Sequence, residues 1–279
     1  MKRTICNLLK IIPMRLRLRL FYYYKFRTFL NLKYPSRLSE KIQVRKLNIL
    51  PEYSTLSDKY SVRDYVKDKV GDSILIPLID VVDNASELNF EQYQNEFVIK
   101  TNHGSGASHI EIVRDKSIID ESAIKKKFKM ALSENYLGSF LGESQYDSID
   151  RKLVVEELIK DPSGCDILDY KFHMFHGKDG FIQVDLDRFS CHKRNLYDFK
   201  GNLIDGELHY PSNTSSINPD FISEMLPYAI KLADGFEYVR VDLYFVDGKV
   251  YFGEMTFTPG SGFEVFRPAS LDLYYGDKW

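Results

Sequence analysis

The most constraining stretch of the chain lies near its C-terminal end. Residues 239–246 and 249–257 both read as strands, and only Asp247-Gly248 separates them. A two-residue connection leaves no route but an antiparallel hairpin, and Asp-Gly suits the type I′ turn, whose two central residues need positive φ. Side chains alternate faces along a strand, so Arg240, Asp242 and Tyr244 share one side, as do Glu254 and Thr256. Asp242 and Glu254 then lie on paired strands. Two carboxylates facing each other repel unless a cation sits with them. Mg²⁺ is bound by one or two carboxylates together with phosphate oxygens, so the hairpin reads as a metal site, with Arg240 placed to neutralise charge developing in phosphoryl transfer. The bland alternative is a surface cross-strand pair.

Two further stretches carry chemistry. In Phe97-Val98-Ile99-Lys100-Thr101-Asn102-His103-Gly104-Ser105-Gly106 a strand ends in a lysine and a small glycine-containing loop follows. Glycines let backbone N–H groups close on phosphate oxygens, and Lys100 adds a fixed positive charge. The lysine precedes the glycines and no helix follows, so this is not the GxxxxGK[ST] loop. By itself it also suits an ordinary hairpin turn. In Val154-Val155-Glu156-Glu157-Leu158-Ile159 an acid pair ends an apolar strand. It suits a hinge that offers backbone groups to adenine and a carboxylate to sugar hydroxyls, or equally a solvated strand end.

Around these the chain alternates between helix and strand patterns. Helices are expected over 38–50 (Ile42, Val44, Leu47 and Leu50 apolar, Pro51 ending it) and 57–69 (Gly71 at C′). A buried strand is expected at 74–82 and a short helix at 85–93. Strands at 97–100 and 109–113 flank the Gly loop, and Asp120 caps a helix running to 135. Strands follow at 153–159, 170–175 and 181–185. A helix begins at Asn218-Pro219 and ends before Gly235, and Pro227 is expected to kink or split it. The class is α+β, without internal repeats.

Charge is divided unevenly. Residues 1–46 hold 13 Lys/Arg against the single acid Glu40, so the net charge of −2 hides a basic arm on an acidic remainder. The arm interleaves cations with Leu, Phe and Tyr. It suits an interfacial segment on an anionic membrane surface, an amphipathic helix packed on the acidic body, or, less well, a nucleic-acid contact; no nucleic-acid motif follows, and no nucleic-acid partner is expected. With 44% hydrophobic residues the chain is globular and not disordered. Cys6, Cys165 and Cys191 have no CxxC spacing, which excludes a disulfide scaffold or Cys-rich zinc site and suits a reducing cytoplasm. No run approaches the roughly 20 apolar residues of a membrane span, and the start lacks a signal-peptide core. A cytoplasmic protein, peripheral on the inner face of the cell membrane, is expected.

The order of these parts resembles the ATP-grasp superfamily: a strand-Lys-Gly loop, an EE-hydrophobic hinge and an RxD…ExT hairpin followed by Pro259-Gly260-Ser261-Gly262. The likeness tightens to the TupA-like branch, named for teichuronopeptide biosynthesis, over about residues 36–266. It is carried also by Ser39-Glu40-Lys41-Ile42-Gln43, Asp58-Lys59-Tyr60-Ser61-Val62-Arg63, Asp169-Tyr170-Lys171-Phe172, Asp187-Arg188-Phe189 and His192-Lys193-Arg194-Asn195.

The resemblance implies two α+β subdomains gripping ATP, divided here as a basic arm at 1–46 and subdomains at 47–152 and 153–279. It makes Lys59 and Lys100 the phosphate-reaching lysines, Gly104, Ser105 and Gly106 the lid, and Glu156 and Glu157 the adenine and ribose hinge. It makes Asp242 and Glu254 the Mg²⁺ carboxylates, with Thr256 at the third ligand position, where many relatives carry Asn. Arg240, Lys171, Arg188 and Arg194 fall in order at the positions that face the transferring phosphoryl group and the acceptor, with Asn195 beside Arg194. The implied activity is an ATP-dependent carboxylate–amine ligase. It would form an amide through an acyl phosphate on a small-molecule or lipid-linked saccharide carboxylate of a surface polymer. The alternative is a phosphotransferase or glycosyltransferase acting on a polysaccharide precursor.

Overall fold

The computed structural model describes residues 11–134, 137–162, 164, 167–186, 191–215 and 217–279. Its first element, α1 (Met14–Phe26), is the helix of the basic arm. It is docked on the body of the protein: Leu18 and Tyr22 are fully buried and join Leu30, Leu47 and Phe263 in one apolar cluster. Arg17 donates to the Phe140 carbonyl at 2.7 Å. The second helix, α2 (Leu38–Lys46), owes its start to Glu40, whose carboxylate accepts the backbone N–H groups of Asn31, Ser36 and Arg37. The one acid of the arm is thus used where a helix N-terminus leaves its N–H groups unpaired.

Several expected boundaries move. The helix expected to reach residue 50 stops at Lys46, and Pro51 stands at the beginning of α3 (Glu52–Ser57) instead of ending its predecessor. A residue without an N–H costs nothing in a first turn. The helix expected from residue 57 starts at Val62 (α4, Val62–Val70), because the Asp58 carboxylate accepts from Tyr60 N and Ser61 Oγ and holds a turn there. Gly71, at φ 86°, follows its last residue. Of the expected strand 74–82 only β1 (Leu78–Val82) forms; Ile74 and Ile76 are buried as loop. Residues 85–93 make two single 3₁₀ turns, not a helix.

The first sheet contains β1, β2 (Phe97–Thr101), β3 (Ile110–Val113) and β4 (Leu153–Glu157), in the antiparallel order β1-β4-β2-β3. Helix α5 (Glu121–Ser133), capped as expected by the Asp120 side chain on Ala123 N, lays Ile124 and Phe128 on Phe97, Ile99, Leu153 and Val155. Because β4 pairs with β1 and β2, a subdomain boundary at 153 falls one strand too early.

The second sheet is larger. It takes β5 (Asp169–Phe175), β6 (Asp179–Leu186), β7 (Lys193–Tyr197), β9 (Tyr238–Val246) and β10 (Lys249–Thr256) in the antiparallel order β10-β9-β5-β6-β7. A small ribbon pairs β8 (Glu207–Leu208) with β11 (Phe266–Arg267), and the described chain closes on α7 (Ser270–Lys278). On one face Phe172, Met174, Val184, Val239, Val241 and Leu243 pack against Met225, Ala229 and Leu232 of α6 (Pro219–Ala233). Pro227 does not split α6: it lies on the exposed side, where the carbonyl that loses its helical bond is open to water.

The hairpin turn is as expected, with positive φ at both Asp247 (50°) and Gly248 (73°). A β-bulge follows at Gly253: Phe252 pairs with Leu243, but the next partner of Asp242 is Glu254. An added Cβ on Gly253 would stand 3.0 Å from the Asp242 carbonyl, so this close approach needs glycine.

Candidate functional site

The bulge decides which face Glu254 occupies. Without it Gly253 would oppose Asp242, and Glu254 would point with Val241 into the core. With it, Glu254 and Thr256 join Arg240 and Asp242 on the face away from α6. The neighbouring strands add to that face by alternation: Asp169, Lys171 and His173 from β5, Gln183 and Asp185 from β6, and Arg194 from β7. One side of the five-stranded sheet is hydrophobic core; on the other these polar residues occupy one part, while Phe175, Phe181, Leu196 and Tyr238 are buried beside them against Leu38, Ile42 and Tyr275.

Its centre is a compact charge cluster. Arg240 donates to both oxygens of Asp242 at 2.7 Å and to Glu254 Oε1 at 2.8 Å. Lys171 donates to Asp242 Oδ2 at 2.7 Å and also holds Asp169. Thr256 Oγ1 lies 3.3 Å from Glu254 Oε1. Burial works against the charge on Arg240 and Lys171, but Asp242 and Glu254 around the first, and Asp169 and Asp242 around the second, outweigh it and raise both above their ordinary values. Burial pushes the Asp242 carboxyl up, with Arg240 and Lys171 pulling the other way. Burial also pushes Glu254 up, but Lys59, Arg240 and Lys171 prevail and hold it well below the usual carboxylate range. The cation that two facing carboxylates require is therefore present as protein: Arg240 supplies it. The like-charge argument alone does not demand a metal.

Lys59 joins the two sheets. Its Nζ lies 3.4 Å from Glu254 Oε2 on the large sheet and donates to the Gly104 carbonyl, in the loop of the small one, at 2.9 Å. It is positioned by its neighbours. Asn102 Nδ2 donates to Asp58 Oδ1 and to the Asp150 carbonyl, and Lys59 N donates to the Asn102 carbonyl. Asn102, at the end of β2, thereby ties the turn before α4 to the segment that leads into β4. Gly104 is buried, and a Cβ there would sit 2.0 Å from His109 Nδ1, so glycine is needed for packing. Ser105 and Gly106 are exposed, Gly106 at φ 83°. Buried His103 is held down to about 4 by burial and by the Arg151 charge, which leaves it neutral.

Glu156 and Glu157 part company, since neighbours on a strand face opposite ways. Glu156 is buried and accepts from Lys100 Nζ at 2.5 Å and Arg63 at 3.2 Å. Glu157, half-buried, stands at the far end of β4 on the other face. Arg194 donates to Asp185 at 2.6 Å and Glu264 at 2.6 Å. Asn195 points away from it: its amide binds Tyr197 OH, Asn213 Oδ1 and the Ser215 carbonyl, so it holds a loop and does not face an acceptor. Arg188, with Asp187 and Phe189, lies outside the described residues, as do Cys6 and Cys165.

Lys171, Arg194 and Arg240 line an open cleft of about 630 Å³ with Gln183, Asp185 and Glu264, none of which stood out in the sequence. Polar residues at every second position of an otherwise apolar run, Gln183 then Asp185, are the signal that was available. The far wall is unexpected, because Phe21, Tyr24 and Lys25 come from α1. The arm is not detached from the site. Nor is α2: Gln43 and Lys46 donate to the carbonyls of the Pro259–Gly262 turn, which leads into Glu264.

As a metal site, the donor set fits a hard cation. Asp242 and Glu254 are carboxylates on directly paired positions, and the Thr256 hydroxyl is adjacent. Among the described residues no three His, Cys, Asp or Glu side chains are grouped to hold a metal by themselves. Two carboxylates completed by phosphate oxygens would suit Mg²⁺.

A glycine loop on one antiparallel sheet, bridged by a lysine to the charged face of another, is the layout of an ATP-grasp protein. The chain matches the model of the TupA-like ATP-grasp family over residues 40–279 and belongs to that family. No curated protein matches it. Among solved structures it is similar to D-alanine–D-alanine ligase from Bacillus anthracis (18% identity, 74% of this chain and 58% of that one, TM-score 0.41). It is also similar to phosphoribosylamine–glycine ligase from Thermotoga maritima (16% identity, 74% and 48%, TM-score 0.42). The chain spans about half the length of these two proteins.

Proposed function

We propose that the protein is an ATP-dependent carboxylate–amine ligase. The observation that carries this reading is Lys59, whose ammonium touches both the Gly loop and the carboxylate face. A polyphosphate between the sheets would meet cations from both sides. In the reaction, a carboxylate oxygen of the substrate forms a bond to the γ-phosphorus as the bond to the β-bridging oxygen breaks, giving an acyl phosphate and ADP. An amine nitrogen then attacks the acyl carbon, phosphate leaves, and the nitrogen gives up a proton to yield the amide. Lys59 and Lys100 offset phosphate charge, and Arg240 and Lys171 face the group in transfer, so catalysis rests on positioning and fixed charge. Asp242 and Glu254, with Thr256 beside them, would hold Mg²⁺, which supplies charge neutralisation and a template for the phosphates.

Asp242→Asn should lower turnover by about 10²-fold or more. Unchanged ATP hydrolysis at saturating Mg²⁺ would remove the metal assignment. Mg-ATP with a panel of uronic and amino acids, read by mass spectrometry, tests the ligation itself. An amide product with ADP supports it, and release of a nucleoside diphosphate from a sugar donor would replace it with group transfer.

The substrate is proposed to be a carboxylate of a surface-polymer precursor, met at an anionic membrane. Support comes from α1, where Leu16, Leu20 and Tyr23 form an exposed stripe (46–53% exposed) on the side opposite Leu18 and Tyr22, with exposed Arg15 and Arg19 beside it. Apolar side chains flanked by cations match an anionic lipid surface. No described helix is long and apolar enough to cross a membrane. Vesicles containing phosphatidylglycerol should co-sediment the protein; equal binding by a Leu16→Ser/Leu20→Ser variant would count against it.

A further inference from the structure

The family match begins at residue 40, yet helix α1, residues 14–26, supplies one wall of the cleft. Of the four cations lining that cleft, three are already paired. Arg194 is held by Asp185 and Glu264, Arg240 by Asp242 and Glu254, and Lys171 by Asp169 and Asp242. The fourth, Lys25, has no carboxylate partner among the described residues, and it is half-buried at the rim. Its charge reaches across the opening: after burial, Lys25 is the main influence holding His209 below its ordinary value. Opposite it stands an aromatic platform. His192 and Tyr210 are stacked with centroids 3.7 Å apart, and the Arg194 guanidinium lies 5.0 Å over the Tyr210 ring. Phe21 and Tyr24 face this platform from α1.

An unneutralised cation at the rim of a cleft favours an anion, and ring walls on two sides favour a ligand with an apolar face. We propose that Phe21, Tyr24 and Lys25 are the specificity wall of the acceptor subsite, and that this wall takes a ring-bearing ligand with a carboxylate or phosphate at the end remote from Arg240. Glucuronate and glucose 1-phosphate carry such a ring and anion and serve as binding probes; a reacting acceptor would in addition carry its amine at the Arg240 end. The inference rests on the ligase reading for the word acceptor, but the binding it asserts stands apart from turnover.

The test uses the full chain without nucleotide and measures binding of glucuronate, glucose 1-phosphate, glucose and inorganic phosphate by calorimetry or ligand-observed NMR. At least one of the two anionic sugars should bind about tenfold or more tighter than glucose and than phosphate alone, and which one does identifies the anionic group. Lys25→Ala should abolish that margin over glucose, and Tyr24→Ala should weaken all three sugars. Lys129→Ala, exposed on α5, should change nothing. Near-ultraviolet circular dichroism and the melting temperature confirm that the helix stays docked. No preference for an anionic sugar in the wild type, or an undiminished preference in Lys25→Ala, overturns the proposal. In turnover the Lys25→Ala loss should appear in the acceptor KM more than in kcat. If the wild type binds as expected but forms no amide, the ligase reading fails and the wall stands; if amide forms equally well in Lys25→Ala at low acceptor, the wall fails alone.

Discussion

Arg240 is the residue on which the charged face depends, and Arg240→Met tests that dependence. The substitution keeps most of the aliphatic bulk and removes three charge-assisted hydrogen bonds, two to Asp242 and one to Glu254. Asp242 is 1% exposed, so its carboxylate cannot turn to water; the cation left to it is Lys171, and Glu254 keeps Lys59 and the Thr256 hydroxyl. Removing one partner of a buried ion pair costs about 3–5 kcal/mol. At roughly 2–4 °C per kcal/mol for a chain of this size, the melting temperature should fall by about 6–20 °C. The same change leaves two carboxylates facing each other on paired strand positions, which is the condition under which a divalent cation is attracted. Magnesium at about ten times its dissociation constant would restore about 1.4 kcal/mol. Scanning calorimetry of both proteins with and without MgCl₂, at matched ionic strength, should show a larger magnesium-induced rise in the variant. If Arg240→Met melts within a degree or two of the wild type, Arg240 is not the cation that holds the pair. If magnesium raises both equally, the exchange of protein cation for metal is refuted.

Leu18→Ala should lower stability by about 2–5 kcal/mol, seen as a lower urea midpoint with an unchanged slope, because Leu18 is fully buried between α1 and the body. Lys46 is pushed down to about 7 by burial, partly opposed by Glu143, from an ordinary 10.5. Between those values the unfolded chain carries a proton that the folded one lacks, so stability should rise from about pH 7 to about pH 10, and Lys46→Met should flatten that rise in urea titrations. Gly104→Ala should displace the His109 ring, break its 2.9 Å hydrogen bond to Thr101 and raise the KM for ATP by about tenfold; an unchanged KM would separate this loop from the nucleotide.

Much of the fold was legible where local chemistry acts alone. Asp247-Gly248 dictates its turn, Asp120 its cap, and alternation the strands β2, β5, β6 and β9. What escaped was set by distant partners. The strand β7, with Lys193, Arg194 and Asn195, has three polar residues in a row and no strand pattern. It forms because β6 offers an edge and because Asp185 and Glu264 take up the Arg194 charge. Glu156 and Glu157 look like one acidic pair in the sequence, yet a period of two must place them on opposite faces, and only Glu156 meets Lys100. The bulge left a readable trace. Core positions run Val250, Phe252, then Met255, Phe257, a step of three in a period of two, and that phase slip turns Glu254 toward Asp242.

The basic arm shows the other limit of reading a charge pattern. Its 13 cations left open a membrane segment, a helix packed on the body and a nucleic-acid contact, and several of them are consumed by the body of the protein. Arg17 binds a carbonyl, Arg45 donates to the Tyr238 and Phe257 carbonyls beneath the large sheet, and Lys46 grips the Ser261 carbonyl. These contacts are to carbonyl oxygens, which no balance of acids and bases can foretell. Within α1 the cations left over are of two kinds. Arg15 and Arg19 lie beside the exposed stripe of α1, and Lys25 lies at the cleft. One 13-residue helix therefore presents a cationic apolar surface outward and an unpaired lysine to the reaction cleft. If the outward face rests on a membrane, the acceptor subsite is held within a helix diameter of the lipid surface, about 10–12 Å. A water-soluble acceptor would gain nothing from that placement, whereas a lipid-linked one would need it. Attachment to anionic vesicles should therefore raise turnover with a lipid-linked acceptor and leave turnover with a water-soluble acceptor unchanged, and equal stimulation of both would break the connection between the two faces of the helix.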